Sequence, residues 1–189
     1  MKPRQLWLVR HARPLVAPGT CYGALDVAAD PAATLDSARR LAQALPQGLR
    51  VHHSPLQRCE QLALALQGLR PDLALKPDAR LVEMNFGTWE GQPWNALARA
   101  DIDAWTGHFA NHRPGGGECL AEMLQRVAAA LHDTRRPGAS DVLWISHAGV
   151  ARCVQWLLGA TGSAGALPRP DEWPLAAPEP GHWACYALD

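Results

Sequence analysis

Arg10-His11 stands directly behind the apolar run Leu6-Trp7-Leu8-Val9, and polar groups follow a short apolar segment in the same way at two other places. Ser54 ends residues 49–53, with Arg58 close behind it, and Ser146-His147-Ala148-Gly149 ends residues 142–145. If these three ends face one crevice, two arginines and two histidines meet there. Guanidinium groups offer forked hydrogen bonds to phosphate oxygens, and a helix N-terminus adds unpaired N–H groups and partial positive charge. A neutral imidazole held on a rigid strand end can attack phosphorus and form a covalent intermediate, which makes His11 the candidate nucleophile. A leaving alkoxide needs a proton, and Glu83 in Val82-Glu83-Met84-Asn85-Phe86-Gly87 is the candidate donor. Its apolar neighbours would favour a protonated carboxyl in a site closed to water.

The elements that must carry these groups follow from hydrophobic period. Residues 5–9, 49–53 and 142–145 read as short buried strands, and residues 73–75 as another. Leu35, Ala38, Leu41, Ala42 and Leu45 recur at helical spacing, as do Leu56, Cys59, Leu62, Ala63 and Leu66. Ser54-Pro55 reads as an N-cap and first-turn proline for the second of these helices. Residues 94–108 are expected to be helical. Beyond Pro114-Gly115-Gly116-Gly117, Leu120, Leu124, Val127, Ala128 and Leu131 mark a further helix, and Val150, Cys153, Val154, Leu157 and Leu158 another. Residues 182–188 can return as an edge strand. Such alternation predicts a mainly parallel sheet with helices on both faces, which binds ligands at the carboxyl ends of its strands.

In order along the chain, Leu8-Val9-Arg10-His11-Ala12-Arg13, Ser54-Pro55-Leu56-Gln57-Arg58, the stretch Glu83-Met84-Asn85-Phe86-Gly87-Thr88-Trp89-Glu90-Gly91, Pro114-Gly115-Gly116-Gly117-Glu118 and Ser146-His147-Ala148-Gly149 resemble the histidine phosphatase superfamily, also called phosphoglycerate mutase-like. The resemblance runs from about residue 5 to 158. It implies a three-layer α/β/α sandwich with a mainly parallel central sheet, no metal and no cofactor. It also implies that His11 is phosphorylated, that Arg10, Arg58 and His147 hold the transferring phosphoryl group, and that Glu83 donates the proton. Three positions depart from the family pattern: Ala12 stands where glycine is usual, Arg13 adds a third basic group near the site, and Cys119 replaces a common serine. Ala12 fits only with a negative φ.

Chain length and the segment Pro18-Gly19-Thr20-Cys21-Tyr22-Gly23-Ala24-Leu25-Asp26 favour a phosphatase over a mutase. That segment is similar to the α-ribazole phosphatase branch, which removes the 5′-phosphate of a nucleotide-like precursor in cobalamin synthesis. The similarity implies that Cys21, Tyr22, Gly23 and Asp26 line or shape the substrate end of the pocket. On residue type alone, Gly19 and Gly23 could simply make turns and Asp26 cap the next segment. Trp89 and Trp94 could wall a base or pack in the core, where Trp7, Trp144 and Trp156 are expected. A phosphoprotein substrate remains an alternative, since the same centre can act on phosphohistidine or phosphoserine.

Composition sets the outer limits. The 189 residues suit one domain over 1–189, with 48% hydrophobic residues and 18 Lys+Arg balancing 18 Asp+Glu. Zero net charge argues against nucleic acid or a membrane surface and for a small phosphorylated metabolite as partner. Five scattered cysteines without a CxxC pair read as free thiols in a reducing compartment, and no segment approaches the roughly 20 apolar residues of a membrane span. A cytoplasmic protein is expected. His108 and His112 are spaced i, i+4 but lack the HExxH pattern, and no C-x5-R loop exists. The Pro-rich stretch 168–180 and the edge strand could support a homodimer or pack on their own domain.

Overall fold

A computed structural model describes residues 3–135, 140–159, 162 and 165–188. Strands β1 (Gln5–Arg10), β2 (Arg50–His53), β3 (Ala74–Pro77), β4 (Val142–Ser146) and β5 (Trp183–Ala187) form one sheet in the order β3-β2-β4-β1-β5. All pairs are parallel except β1 with β5, the antiparallel edge.

Side chains alternate across the sheet with the period of two that extended backbone dictates. Leu6, Leu8, Val142 and Trp144 face a core shared with helices α4 (Leu120–Thr134) and α5 (Ala148–Leu158). Val9, Val51, Leu143 and Ile145 face the other core, shared with α1 (Pro31–Ala44) and α2 (Gln57–Leu69). The result is the three-layer sandwich, with a further short helix, α3 (Arg99–Gly107), outside these layers. Each fully buried leucine or valine contributes about 1.5–3 kcal/mol relative to exposure, so both faces pin the register.

Register is what assembles the site. Arg10 pairs with Ser146 and His53 with Ile145, so β1, β4 and β2 end side by side. The ladder continues one residue past the strands: His11 N–H donates to the Ser146 carbonyl at 3.0 Å and Ser54 N–H to the Ile145 carbonyl at 2.9 Å.

Local expectations fail in three places. Ser54 is not a helix cap: α2 starts at Gln57, Leu56 is its cap residue, and the Asp26 carboxylate accepts the Gln57 N–H at 2.8 Å from across the chain. Residues 94–108 are not one helix. Trp94–Ala96 forms a 3-10 turn, Leu97 and Ala98 are extended, and α3 follows; the Trp94 N–H is drawn to the Gly19 carbonyl at 2.8 Å. β3 begins at Ala74 because Leu73 closes the end of α2, its N–H on the Arg70 carbonyl and its side chain in the core. Trp144 and Trp156 are core residues, whereas Trp7 is half-buried against Trp183. Among the described residues no helix is long and apolar enough to cross a membrane.

Candidate active site

His11 is 2% exposed, and its Nδ1 lies 2.7 Å from the Ala12 carbonyl oxygen. A carbonyl can only accept, so Nδ1 carries the proton and Nε2 keeps its lone pair. Burial lowers the His11 pKa to about 3; the Ala12 hydrogen bond opposes this and the nearby Arg58 and Arg10 charges reinforce it. The imidazole is therefore neutral at ordinary pH. His147 lies beside it, ring centroids 5.2 Å apart, fully buried, with Nε2 2.9 Å from Ser54 Oγ and 3.5 Å from Cys59 Sγ. Burial, then His11 and Arg58, push its pKa well below the ordinary value.

Arg58 is fully buried. Its Nη1 and Nη2 donate to the carbonyls of Leu25 (2.7 Å) and Gly23 (2.6 Å), and its guanidinium lies 5.4 Å from the centre of the Tyr22 ring. Burial lowers its pKa. Half-buried Arg10 donates to the Pro178 carbonyl at 3.3 Å. Among the described residues neither guanidinium is paired with a carboxylate, and the buried Nε of each has no hydrogen-bond partner. Unpaired buried cations are costly, and a bound dianion offsets that cost.

Glu83 is half-buried and lines the same cavity as His11. Its carboxylate accepts N–H bonds from Met84 (3.0 Å) and from Gly149 in the first turn of α5 (2.9 Å), so its environment is more polar than its sequence neighbours imply. Its loop is fastened by Arg126, which donates to the carbonyls of Val82 (2.6 Å) and Glu83 (3.3 Å) and pairs through both branches with Glu118.

Arg10, His11 and Glu83 line one end of a cavity of about 410 Å³, with Arg58 and His147 buried behind its floor. Aromatic rings make up much of the remaining wall, together with Met84, Leu120, Met123 and the Arg152 side chain. Trp94 and Trp105 stack at 6.3 Å, Phe86 meets both edge-on, Phe109 links Trp105 to Trp173, and Tyr22 closes the near side. Trp173, Pro174 and Leu175 give the Pro-rich stretch a place: it forms one wall, fastened by Arg152 to the Leu175 carbonyl and by Arg10 to Pro178.

Several expected residues stand elsewhere. Arg13 is not in the site; its side chain is 72% exposed and pairs with Asp30, because the Pro14–Ala29 bridge turns the chain outward. Cys21 does not line the cavity: it is fully buried, and its backbone bonds to Gln92 and Gly91 hold the Tyr22-Gly23 turn in place. Asp26 caps α2, and Trp89 packs behind Trp94 and Trp105. Tyr22 and Gly23 do line the cavity. A side chain at Gly23 would collide with the Met84 carbonyl and the Phe86 ring, so glycine is needed for close approach. Ala12 is accommodated, since no described non-glycine residue has positive φ.

Trp105, Phe109, Phe86 and Trp173 could not be assigned to the site from sequence. No local period gave them away: Trp105 is on α3, whereas Phe109 lies beyond its end at Gly107.

Comparison with known proteins follows the same line. The model of the histidine phosphatase superfamily (branch 1) matches residues 6–169. A candidate phosphoserine phosphatase 2 of Hydrogenobacter thermophilus is 26% identical over 164 residues, covering 84% of this chain and 80% of that protein. The crystal structure of TTHB049 from Thermus thermophilus is similar at TM-score 0.70 and 28% identity, over 96% of this chain and 92% of that one. A phosphoglycerate mutase structure from the same organism gives TM-score 0.70 and 28% identity over 96% and 91%.

Proposed function

The chain belongs to branch 1 of the histidine phosphatase superfamily, and we propose that it is a metal-independent phosphomonoesterase acting through phosphohistidine on a small phosphorylated metabolite. One observation carries this reading: a neutral His11, its Nε2 lone pair left available by the Ala12 hydrogen bond, beside two guanidinium groups that have no carboxylate partner among the described residues.

In the first step the Nε2 lone pair forms the P–N bond while the P–O bond to the alcohol breaks. Glu83 gives its proton to the departing oxygen. Water then attacks phosphorus, Glu83 takes the water proton, and the P–N electron pair returns to His11. Arg10 lines the cavity and meets the charge that builds on the phosphoryl oxygens, while Arg58, buried behind the floor beside His147, adds its positive potential from beneath; such preorganised charge commonly supplies most of the rate.

For the alcohol we propose α-ribazole, with α-ribazole 5′-phosphate as substrate. The Tyr22-Gly23 turn of the Gly19–Asp26 segment and the aromatic wall both favour a planar base over the carboxylate-bearing compounds named for the relatives. Phosphate release from α-ribazole 5′-phosphate, phosphoserine and 3-phosphoglycerate, in EDTA, tests this. The expected order of kcat/KM places the ribazole ester at least about tenfold ahead, since each aromatic stacking contact is worth roughly 0.5–1.5 kcal/mol. Equal or reversed preference would remove the substrate assignment, and loss of all activity in EDTA would remove the metal-free mechanism.

A further inference from the structure

Gly149 occupies the second position of α5, a place where alanine forms helix better than glycine and where φ is not positive. Backbone geometry therefore gives no reason for glycine here. A side chain at this position would fall on the Glu83 carboxyl: the three nearest atoms are Glu83 Oε1, Cδ at 3.0 Å and Oε2 at 3.2 Å. The Gly149 N–H also donates to Glu83 Oε2 at 2.9 Å. The loop cannot retreat as a body, because Arg126 holds the Val82 and Glu83 carbonyls and is itself paired with Glu118. Any methyl group at residue 149 must rotate the Glu83 side chain instead.

We propose that Gly149 is a positioning residue: its missing side chain makes the seat that places the Glu83 carboxyl for proton transfer to the leaving group. This inference rests on the assignment of Glu83 as acid and base. It explains why a poorer helix former stands in the first turn of a buried helix.

The test uses two esters that differ in their need for an acid. p-Nitrophenolate leaves as a stable anion, whereas the alkoxide of n-butyl phosphate requires a proton. Because kcat/KM includes only steps up to departure of the alcohol, Glu83 acting later as base does not enter it. Gly149→Ala is expected to lower kcat/KM for n-butyl phosphate at least about tenfold more than for p-nitrophenyl phosphate. It should keep the wild-type circular dichroism and a cooperative unfolding transition, and adding it to Glu83→Gln should produce no further selective loss. Glu83→Gln alone must show the same selectivity; if it does not, the acid assignment falls and the seat with it. If Glu83→Gln discriminates between the esters while Gly149→Ala lowers both equally, only the seat is overturned.

Discussion

The polar floor and the aromatic wall of this cavity are built on opposite principles. At the floor and just behind it directional hydrogen bonds fix the polar side chains: His11 donates to the Ala12 carbonyl, Arg58 donates to the carbonyls of Gly23 and Leu25, Glu83 accepts from two N–H groups, and His147 lies against the Ser54 hydroxyl. The wall is drawn from separated segments around residues 86, 94, 105–109 and 173, which meet ring against ring, with Tyr22 joined instead to the Arg58 guanidinium. Directional bonds set a charged group to within a fraction of an ångström, as transfer of a phosphoryl group requires. Ring contacts are less directional, so the wall can vary in shape while the floor stays constant. The division implies that floor residues set rate for every substrate and wall residues set which alcohol is accepted.

The sharpest way to break this division is to remove the nucleophile. His11→Ala should lower kcat at least about ten thousandfold with every ester, as for other covalent catalysts, measured by phosphate release. Retained activity with any ester would detach the floor from the chemistry. Arg58→Met should lower kcat/KM by about a hundred- to a thousandfold, again with all esters alike. Because it removes a buried cation without a carboxylate partner, its urea midpoint should hold or rise. A loss confined to one ester would move Arg58 from the floor to the wall in function.

The floor should also make stability depend on pH. The unfolded chain takes up a proton on His11 near 6.5, whereas the folded chain keeps it neutral to about 3. Between those values the unfolded state binds more protons, so stability falls as pH drops below 6.5. Urea unfolding should lose about 2 kcal/mol from His11 between pH 7 and 5, an amount that His11→Asn removes. A flat profile would contradict the neutral, buried imidazole. The smallest effect belongs to the wall: Trp105→Ala should raise KM for an aromatic ester about three- to tenfold and leave a small alkyl ester within about twofold. An equal change for both would blur the distinction between the two regions.

The same contrast explains what could be read in the sequence. Arg10, His11, Ser54 and His147 each follow a run whose period marks a strand, and parallel strands in register bring their ends together. Floor positions are therefore coded locally, and the two cores follow from the same alternation. The wall is coded by contacts between distant segments, for which residue type gives no pairing rule. Trp173 lies in a Pro-rich stretch with no period at all, and reaches the cavity because Arg10, Arg152 and Gly181 tie that stretch down. Arg13 and Ser54 show the limit at short range. Arg13 is diverted by a pairing with Asp30, seventeen residues away, and Ser54 turns from helix capping to His147 because Asp26 supplies the bond to α2 from elsewhere.

The measurement that bears most directly on the central claim is rapid-quench trapping of the enzyme during turnover of a radiolabelled phosphomonoester, followed by peptide mapping under alkaline conditions that preserve phosphohistidine. One labelled peptide is expected, the one that carries His11, with label that is lost in acid and absent from His11→Ala. Label on another residue, or turnover with no label on His11 at quench times shorter than one catalytic cycle, would contradict it.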